Sequence, residues 1–148
     1  MENTRIDIPS ALNEPIKDYA PGSDERAHLK SKLAEMEQEL FEIPIIIGGK
    51  EIYTGNLGKC RKPHDHQHIL AEYHTAESEE VHQAIDTAMK AWQSWSDTPL
   101  HERIIIFKRA AELLAGPWRN IVNAATMLNQ SKNVYQAEID AACELIDF

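Results

Sequence analysis

The second half of the sequence is a nearly unbroken succession of helical patterns, and this feature limits the possible folds most strongly. From Ser78 to Phe148, apolar residues recur at spacings of three and four, the period of a helix that buries one face. The four stripes consist of Val81, Ala84, Ile85, Ala88, Met89 and Trp92; Ile104, Phe107, Ala111 and Leu114; Trp118, Ile121, Val122, Ala125 and Leu128; and Val134, Ala137, Ala141, Leu145 and Phe148. We therefore expect four closely connected helices and a mainly α-helical chain.

Local signals mark the ends of these helices. Ser78 is expected to cap the first, and Pro99 to occupy the first helical position of the second. Gly116-Pro117 closes the second helix and opens the third, and the fourth begins near Asn133.

The last helix is apolar on nearly every side, because Ile139, Ala142, Cys143 and Ile146 lie opposite its main stripe. Such a helix needs neighbours all around it. We therefore expect the chain to be a truncated part of a larger fold, and we expect this helix to self-associate or fray.

The first 44 residues predict an extended arm and one helix. Prolines and Gly22 interrupt residues 1–22, and Ser23 then offers an N-cap to a helix that Pro44 is expected to end. Its apolar face consists of Leu29, Leu33, Met36 and Leu40. We expect this helix to dock on another part of the same protein, because its seam is too short for a coiled coil.

A small β-structure is expected between this helix and the four later ones. Residues 45–47 and 51–53 flank Gly48-Gly49-Lys50, which predicts a hairpin because glycine adopts the positive φ of its turn. A loop containing Gly55 and Gly58 is expected to lead to a third strand over residues 69–73.

The charge balance and the lack of a leader pattern restrict partners and location. With 24 acidic and 15 basic residues, the net charge is −9, which disfavours nucleic acids and anionic membranes. No apolar run approaches the ~20 residues that span a bilayer. Residues 1–7 resemble neither a secretory nor a mitochondrial leader, so we expect a cytoplasmic protein.

Three histidines, His64, His66 and His68, form the most conspicuous candidate metal site. A strand would place all three on one face, as a zinc or copper site requires, whereas a turn after Pro63 would spread them into solvent. We favour the turn and predict no metal site.

The two cysteines are expected to be reduced thiols. Cys143 lies in an apolar helix and is predicted to be buried, and Cys60, between two basic residues, is predicted to lie on the surface. No glycine-rich turn for a dinucleotide phosphate occurs among the six glycines. The acidic residues Glu77, Glu79 and Glu80 are interpreted as a solvated helix start.

Several segments resemble the amino-terminal part of 1-pyrroline-5-carboxylate dehydrogenases, members of the aldehyde dehydrogenase superfamily. They are residues 43–48, 51–54, 63, 66–68, 84–85, 91–92, 95, 103–114, 116–117 and, most specifically, the closing segment QAEIDAACELIDF at 136–148. Residues 13–15 of the arm are similar as well. Residues 129–133 depart from the pattern, since the family often has glycine and threonine there. The resemblance covers essentially the whole chain.

The resemblance implies an α/β aldehyde dehydrogenase fold, with residues 1–42 an arm and helix and residues 43–148 an incomplete part of the cofactor domain. It implies oxidation of L-glutamate γ-semialdehyde to L-glutamate with NAD, through a nucleophilic cysteine that neither cysteine here matches. We therefore expect this chain alone to be inactive and to bind no NAD, and expect the longer enzyme to be a homo-oligomer.

The resemblance also assigns one site residue, Glu144, which matches a helix glutamate lining the family's substrate entrance. A buried helix-packing role is the alternative for this residue. For the whole chain, the alternative to a piece of an enzyme is a non-catalytic helical assembly module from a truncated gene.

Overall fold

The computed structural model describes residue 10 and residues 12–148 of the chain. Five strands and a series of helices follow one another in the order α1 Asp24–Gln38, β1 Phe41–Ile43, β2 Ile45–Ile47, β3 Lys50–Ile52, β4 Leu57–Lys62, β5 Asp65–His74, α2 Ser78–Asp97, α3 Leu100–Ala115, α4 Arg119–Gln130, α5 Val134–Ala137, a π-helical segment Glu138–Cys143, and α6 Glu144–Asp147. The mainly helical prediction is confirmed. The described part of the predicted arm, residue 10 and residues 12–22, contains no helix or strand.

Helix α1 begins where the sequence predicts and ends earlier. The Ser23 hydroxyl accepts a hydrogen bond from the Arg26 N–H, but the helix stops at Gln38 and Glu39 is extended. The prediction that Pro44 ends it is wrong, because residues 41–43 leave the helix to pair with β5. Leu40 therefore lies outside the helix and is exposed.

The strands form a three-stranded sheet in the order β1-β5-β4 and a separate β2–β3 hairpin. Strand β1 is parallel to β5, and β4 is antiparallel to it. The predicted hairpin is confirmed, with Ile45 opposite Ile52, and Gly48 and Gly49 have φ of 59° and 76°. Positive φ at both turn positions is what a two-residue hairpin loop needs.

The predicted loop over residues 55–62 is wrong, because residues 57–62 form β4. Gly58 suggests a turn in the sequence, but its role is close packing. A Cβ atom at this position would lie 2.3 Å from Cζ of Tyr73 on the neighbouring strand. The third predicted strand is present and longer than expected, from Asp65 to His74.

The first three of the four predicted helices are present, with small shifts at their starts. Glu77 is the N-cap of α2, so the prediction for Ser78 is wrong, and the Glu80 carboxylate accepts the Glu77 N–H. Pro99 precedes α3 at its N-cap. Helix α4 buries Arg119, Asn123, Ala124 and Leu128. Of the predicted stripe only Leu128 is buried, Ile121, Val122 and Ala125 are partly buried, and Trp118 is exposed.

The core lies where the arm, α1 and α4 meet. Tyr19, Leu29 and Ala124 form its buried centre, and Leu33, Met36, Met127 and Val134 pack around it. The predicted docking role of α1 is thereby confirmed. In the described part of the chain, no helix is long and apolar enough to cross a membrane.

Helices α2 and α3 contain no buried residue at all. The predicted stripe of α2 is fully formed, but Val81, Ile85, Met89 and Trp92 are between 48% and 63% exposed. The last helical stretch is better covered than expected, because Ala137, Ala142 and Cys143 are buried, while Leu145 and Phe148 are exposed.

We predict that the isolated chain self-associates through the exposed α2 stripe, since apolar patches of this kind favour association in water. The double substitution Ile85→Glu with Met89→Glu should shift it toward monomer in light scattering at micromolar concentration. Gln83→Glu, which adds a charge on the polar side of α2, is the control and should change nothing. A monomeric parent chain would contradict the prediction.

Candidate functional site

The last helical stretch contains a π-helical turn that its sequence pattern does not reveal. It begins as predicted at Asn133, whose Oδ1 accepts the Gln136 N–H while Gln136 Oε1 accepts the Asn133 N–H. The prediction of one regular α-helix is wrong, because residues 138–143 form π-helical turns. Such turns are rare in proteins and are often found at functional sites.

Glu138, the first residue of the π-helical segment, is fully buried and paired with Arg119, which is 1% exposed. The guanidinium also bonds the Glu14 carboxylate and donates to the Pro15 carbonyl at 2.8 Å. Buried charges of this kind are tolerated only when paired and hydrogen-bonded. One arginine thus joins the arm, α4 and the π-helical segment.

Three further donors complete the coordination of the Glu138 carboxylate. The Tyr19 hydroxyl donates to Oε2 at 2.7 Å, the Asn123 amide donates to it at 2.8 Å, and the Lys17 N–H donates to Oε1 at 2.8 Å. We call Tyr19, Arg119, Asn123 and Glu138 the buried polar cluster. Its members come from the arm, from α4 and from the π-helical segment.

The cluster keeps Glu138 ionised and Tyr19 protonated. Burial alone would raise the pKa of Glu138, but the hydrogen bonds from Arg119, Lys17, Tyr19 and Asn123 outweigh it and lower the pKa to about 2. Burial, together with the adjacent Glu138 carboxylate, raises the pKa of Tyr19 well above its usual value. The phenol therefore remains a hydrogen-bond donor.

Cys143 lies against this cluster, with its Sγ 3.4 Å from a guanidinium nitrogen of Arg119, and its predicted burial is confirmed at 4% exposure. Burial and the Glu138 charge raise the pKa of its thiol. A nucleophilic cysteine needs the opposite shift, because the thiolate is the reactive form. The geometry therefore indicates a packing role for Cys143.

Cys60 is partly buried, whereas the sequence predicts a surface position. Its thiol donates to Asn129 Oδ1 at 3.0 Å, and it lines an apolar cavity of 330 Å³. Met36, Leu70 and Leu128 supply other walls of this cavity. The cavity offers few polar groups that could orient a ligand.

The three candidate histidines do not come together on one strand face. His64 lies in the turn before β5, where its Nδ1 is 2.6 Å from the Ser131 hydroxyl. The predicted turn is wrong for His66 and His68, which lie within β5. Among residues 10 and 12–148, no three histidine, cysteine, aspartate or glutamate side chains are grouped to hold a metal ion.

Glu144, the one site residue predicted from the resemblance, is the first residue of α6 and is exposed. The entrance role and the alternative packing role of Glu144 both stay predictions. Sequence reasoning missed the buried polar cluster. In the sequence, Arg119 and Glu138 stand out only as single charged residues within apolar helices. No pattern indicates that these two residues, 19 positions apart, form an ion pair.

Comparison with known proteins places this geometry in a family. The model of the aldehyde dehydrogenase family matches residues 54–148. The chain belongs to the aldehyde dehydrogenase family. The predicted α/β family fold is confirmed by similarity to solved aldehyde dehydrogenase structures, and this part of it is mainly helical.

The most similar aldehyde dehydrogenases found include delta-1-pyrroline-5-carboxylate dehydrogenases. The chain is 49% identical to that of Agaricus bisporus over 95% of its own length, and 41% identical to the mitochondrial one of Dictyostelium discoideum over 97%. It spans 26% of the length of each.

A solved relative, the Mycobacterium tuberculosis dehydrogenase bound with NAD and cobalamin, superposes with a TM-score of 0.91 at 45% identity. The match covers 95% of this chain and 26% of that one. The predicted resemblance to the amino-terminal portion of these dehydrogenases is thereby confirmed.

We predict that Glu138→Gln destabilises the chain by about 3 kcal/mol at pH 7, because it leaves buried Arg119 without its main counter-charge. The parent chain should lose this stabilisation as the pH falls from about 4.5 toward 2, because a carboxylate with a lowered pKa stabilises only while ionised. Urea unfolding across this range should show a flatter profile for the variant.

The control for this experiment is Asp140→Asn, in the same π-helical segment. Asp140 pairs with Lys132 at 2.6 Å, and both side chains are partly exposed. We expect a loss of at most about 1 kcal/mol, as for other surface ion pairs. Equal losses in the two variants would show that burial of the Glu138 pair is unimportant.

Proposed function

We propose that this chain forms the amino-terminal quarter of an NAD-dependent dehydrogenase that oxidises L-glutamate γ-semialdehyde to L-glutamate. The observation that carries the proposal is the match of 95% of the chain, at 49% identity, to a delta-1-pyrroline-5-carboxylate dehydrogenase. Solved relatives from Mycobacterium tuberculosis and Thermus hold NAD, which supports the cofactor. We propose a homo-oligomer as the assembled form.

Within this enzyme, we propose that residues 1–42 form an arm and helix and residues 43–148 form part of the cofactor domain. Strand β1 lies across this boundary, and its pairing with β5, Phe41 opposite Ala71, fixes the first part to the second. Tyr19 and Leu29 of the first part pack on Ala124 of the second.

We propose that Glu144 lies at the substrate entrance. Its carboxylate is exposed at the start of α6, where it is free to accept a hydrogen bond from the amine of an amino-acid aldehyde. Its neighbour Cys143 lies about 100° away around the helix axis and contacts the buried polar cluster. This difference supports a structural role for Cys143 and a substrate-facing role for Glu144.

The chemical step is assigned to no residue of this chain. The raised pKa of the Cys143 thiol disfavours nucleophilic attack on an aldehyde. The sequence also contains no glycine-rich turn that would bring backbone amides to a dinucleotide phosphate, so we assign no NAD contact here. We propose that this chain alone does not reduce NAD, and we propose a cytoplasmic location, although several relatives are named mitochondrial.

A chimaera tests the proposal most directly. Residues 12–148 would replace the matching segment of the Mycobacterium tuberculosis dehydrogenase, which is 45% identical. We predict that this protein reduces NAD with glutamate semialdehyde, whereas the unjoined chain gives no turnover.

The control is the same chimaera with Glu79→Gln, on the exposed start of α2, which should behave like the parent. A folded, NAD-binding chimaera that oxidises a simple alkyl aldehyde but not glutamate semialdehyde would contradict the proposed substrate. Turnover by the unjoined chain would contradict the assignment of the chemistry to other residues.

A further inference from the structure

We infer that Arg119 and Glu138 are positioning residues for Glu144. Their ion pair stabilises the π-helical turn, and this turn sets the register, meaning which residue of the helix faces outward at the position of Glu144. The inference rests on the proposed function, in which Glu144 acts at the substrate entrance. It gives the buried polar cluster a role in substrate recognition.

The register of Glu144 is set by the π-helical segment immediately before it. The Glu144 N–H donates to the carbonyl of Ile139, five residues earlier. In a regular α-helix it would donate to the carbonyl four residues earlier, that of Asp140. The π-helical segment therefore places one additional residue in the turn between Glu138 and Glu144.

The buried polar cluster holds this unusual turn at its first residue. Glu138 is bonded by Arg119 from α4, by the Tyr19 hydroxyl and by the Lys17 N–H from the arm. Since these donors belong to two elements, α4 and the arm, the Glu138 side chain cannot rotate about the helix axis without breaking buried charge-assisted bonds. Loss of such bonds is costly, which opposes relaxation to an α-helix.

The arm also contacts α6, the helix that follows the π-helical segment. The Glu14 N–H donates to Asp147 Oδ1 at 2.7 Å. Cys143, four residues earlier in the chain, lies against Arg119. The arm thus contacts the helical stretch before and after Glu144. The Glu144 carboxylate is exposed between these two contacts.

Relaxation to an α-helix would change which residue faces outward. Each α-helical residue turns the chain by about 100°, so removal of the additional residue would bring Cys143 to the side that Glu144 now occupies. Cys143 is 4% exposed and Glu144 is exposed. The reactivity of the Cys143 thiol is therefore a marker of the register.

The first experiment measures this reactivity with an aromatic disulfide reagent in a Cys60→Ser background, which leaves Cys143 as the one thiol. We expect Glu138→Gln to raise the rate by about tenfold or more while circular dichroism and cooperative unfolding are retained. Asp140→Asn, the exposed neighbour, should leave the rate unchanged. An unchanged rate in folded Glu138→Gln would overturn the inference.

The second experiment uses the chimaeric dehydrogenase described above. We expect Glu138→Gln and Glu144→Gln to raise KM for glutamate semialdehyde by a similar factor, about tenfold, and the double variant to add little, because both act on one contact. Values of kcat, and of KM for NAD, should change less than about twofold. A purely structural role for Glu138 would lower the active fraction and leave KM unchanged.

The outcomes separate the two proposals. If Glu144→Gln leaves KM unchanged, the entrance role fails, and the thiol rate alone then decides whether Glu138 fixes the register. If Glu144→Gln raises KM and Glu138→Gln does not, the positioning role is overturned. If Glu138→Gln does not fold, Arg119→Lys, which retains the charge but loses the planar fork, replaces it with the same expected results.

Discussion

The ion pair between Arg119 and Glu138 is the interaction on which the described structure depends. It fixes α4 to the π-helical segment and, through the Glu14 carboxylate, the Pro15 carbonyl and Tyr19, fixes the arm to both. A buried pair is not inherently more stable than apolar packing, but it is specific, because only one arrangement satisfies every donor. The cluster adjoins the small apolar core formed by Tyr19, Leu29 and Ala124.

The other side of the molecule has no such anchor. Helices α2 and α3 are regular and amphipathic, yet neither contains a buried residue. The aldehyde dehydrogenases that the chain resembles are about four times as long, since it spans 26% of their length. An exposed apolar stripe of this kind is typical of surfaces that pack against other polypeptide. The closely similar backbone of the Mycobacterium tuberculosis relative shows that the helices keep their family arrangement.

The elements governed by local chemistry could be predicted from sequence, and those governed by distant partners could not. The Ser23 cap, the Gly48-Gly49 turn and the Asn133 start each depend on neighbouring residues. Strand β4 was missed because Gly58 makes room for the Tyr73 ring, which is a tertiary requirement. The π-helical turn was missed for the same reason, since Glu138 is drawn inward by Arg119 and Tyr19. The entrance role of Glu144 is predicted from the family resemblance alone, because the hydrophobic periodicity of the helix does not distinguish this glutamate from other polar residues.

Amide hydrogen exchange at Lys17 tests whether the buried Arg119–Glu138 pair holds the arm in place. The Lys17 N–H donates to Glu138 from a stretch with no secondary structure. An arm held only by weak surface contacts would exchange this amide rapidly, as exposed loops do. We predict that the Lys17 amide is protected to the same degree as the buried amides of α4, and that Glu138→Gln abolishes this protection while α4 remains protected. Rapid exchange at Lys17 in the parent chain, with α4 protected, would contradict it.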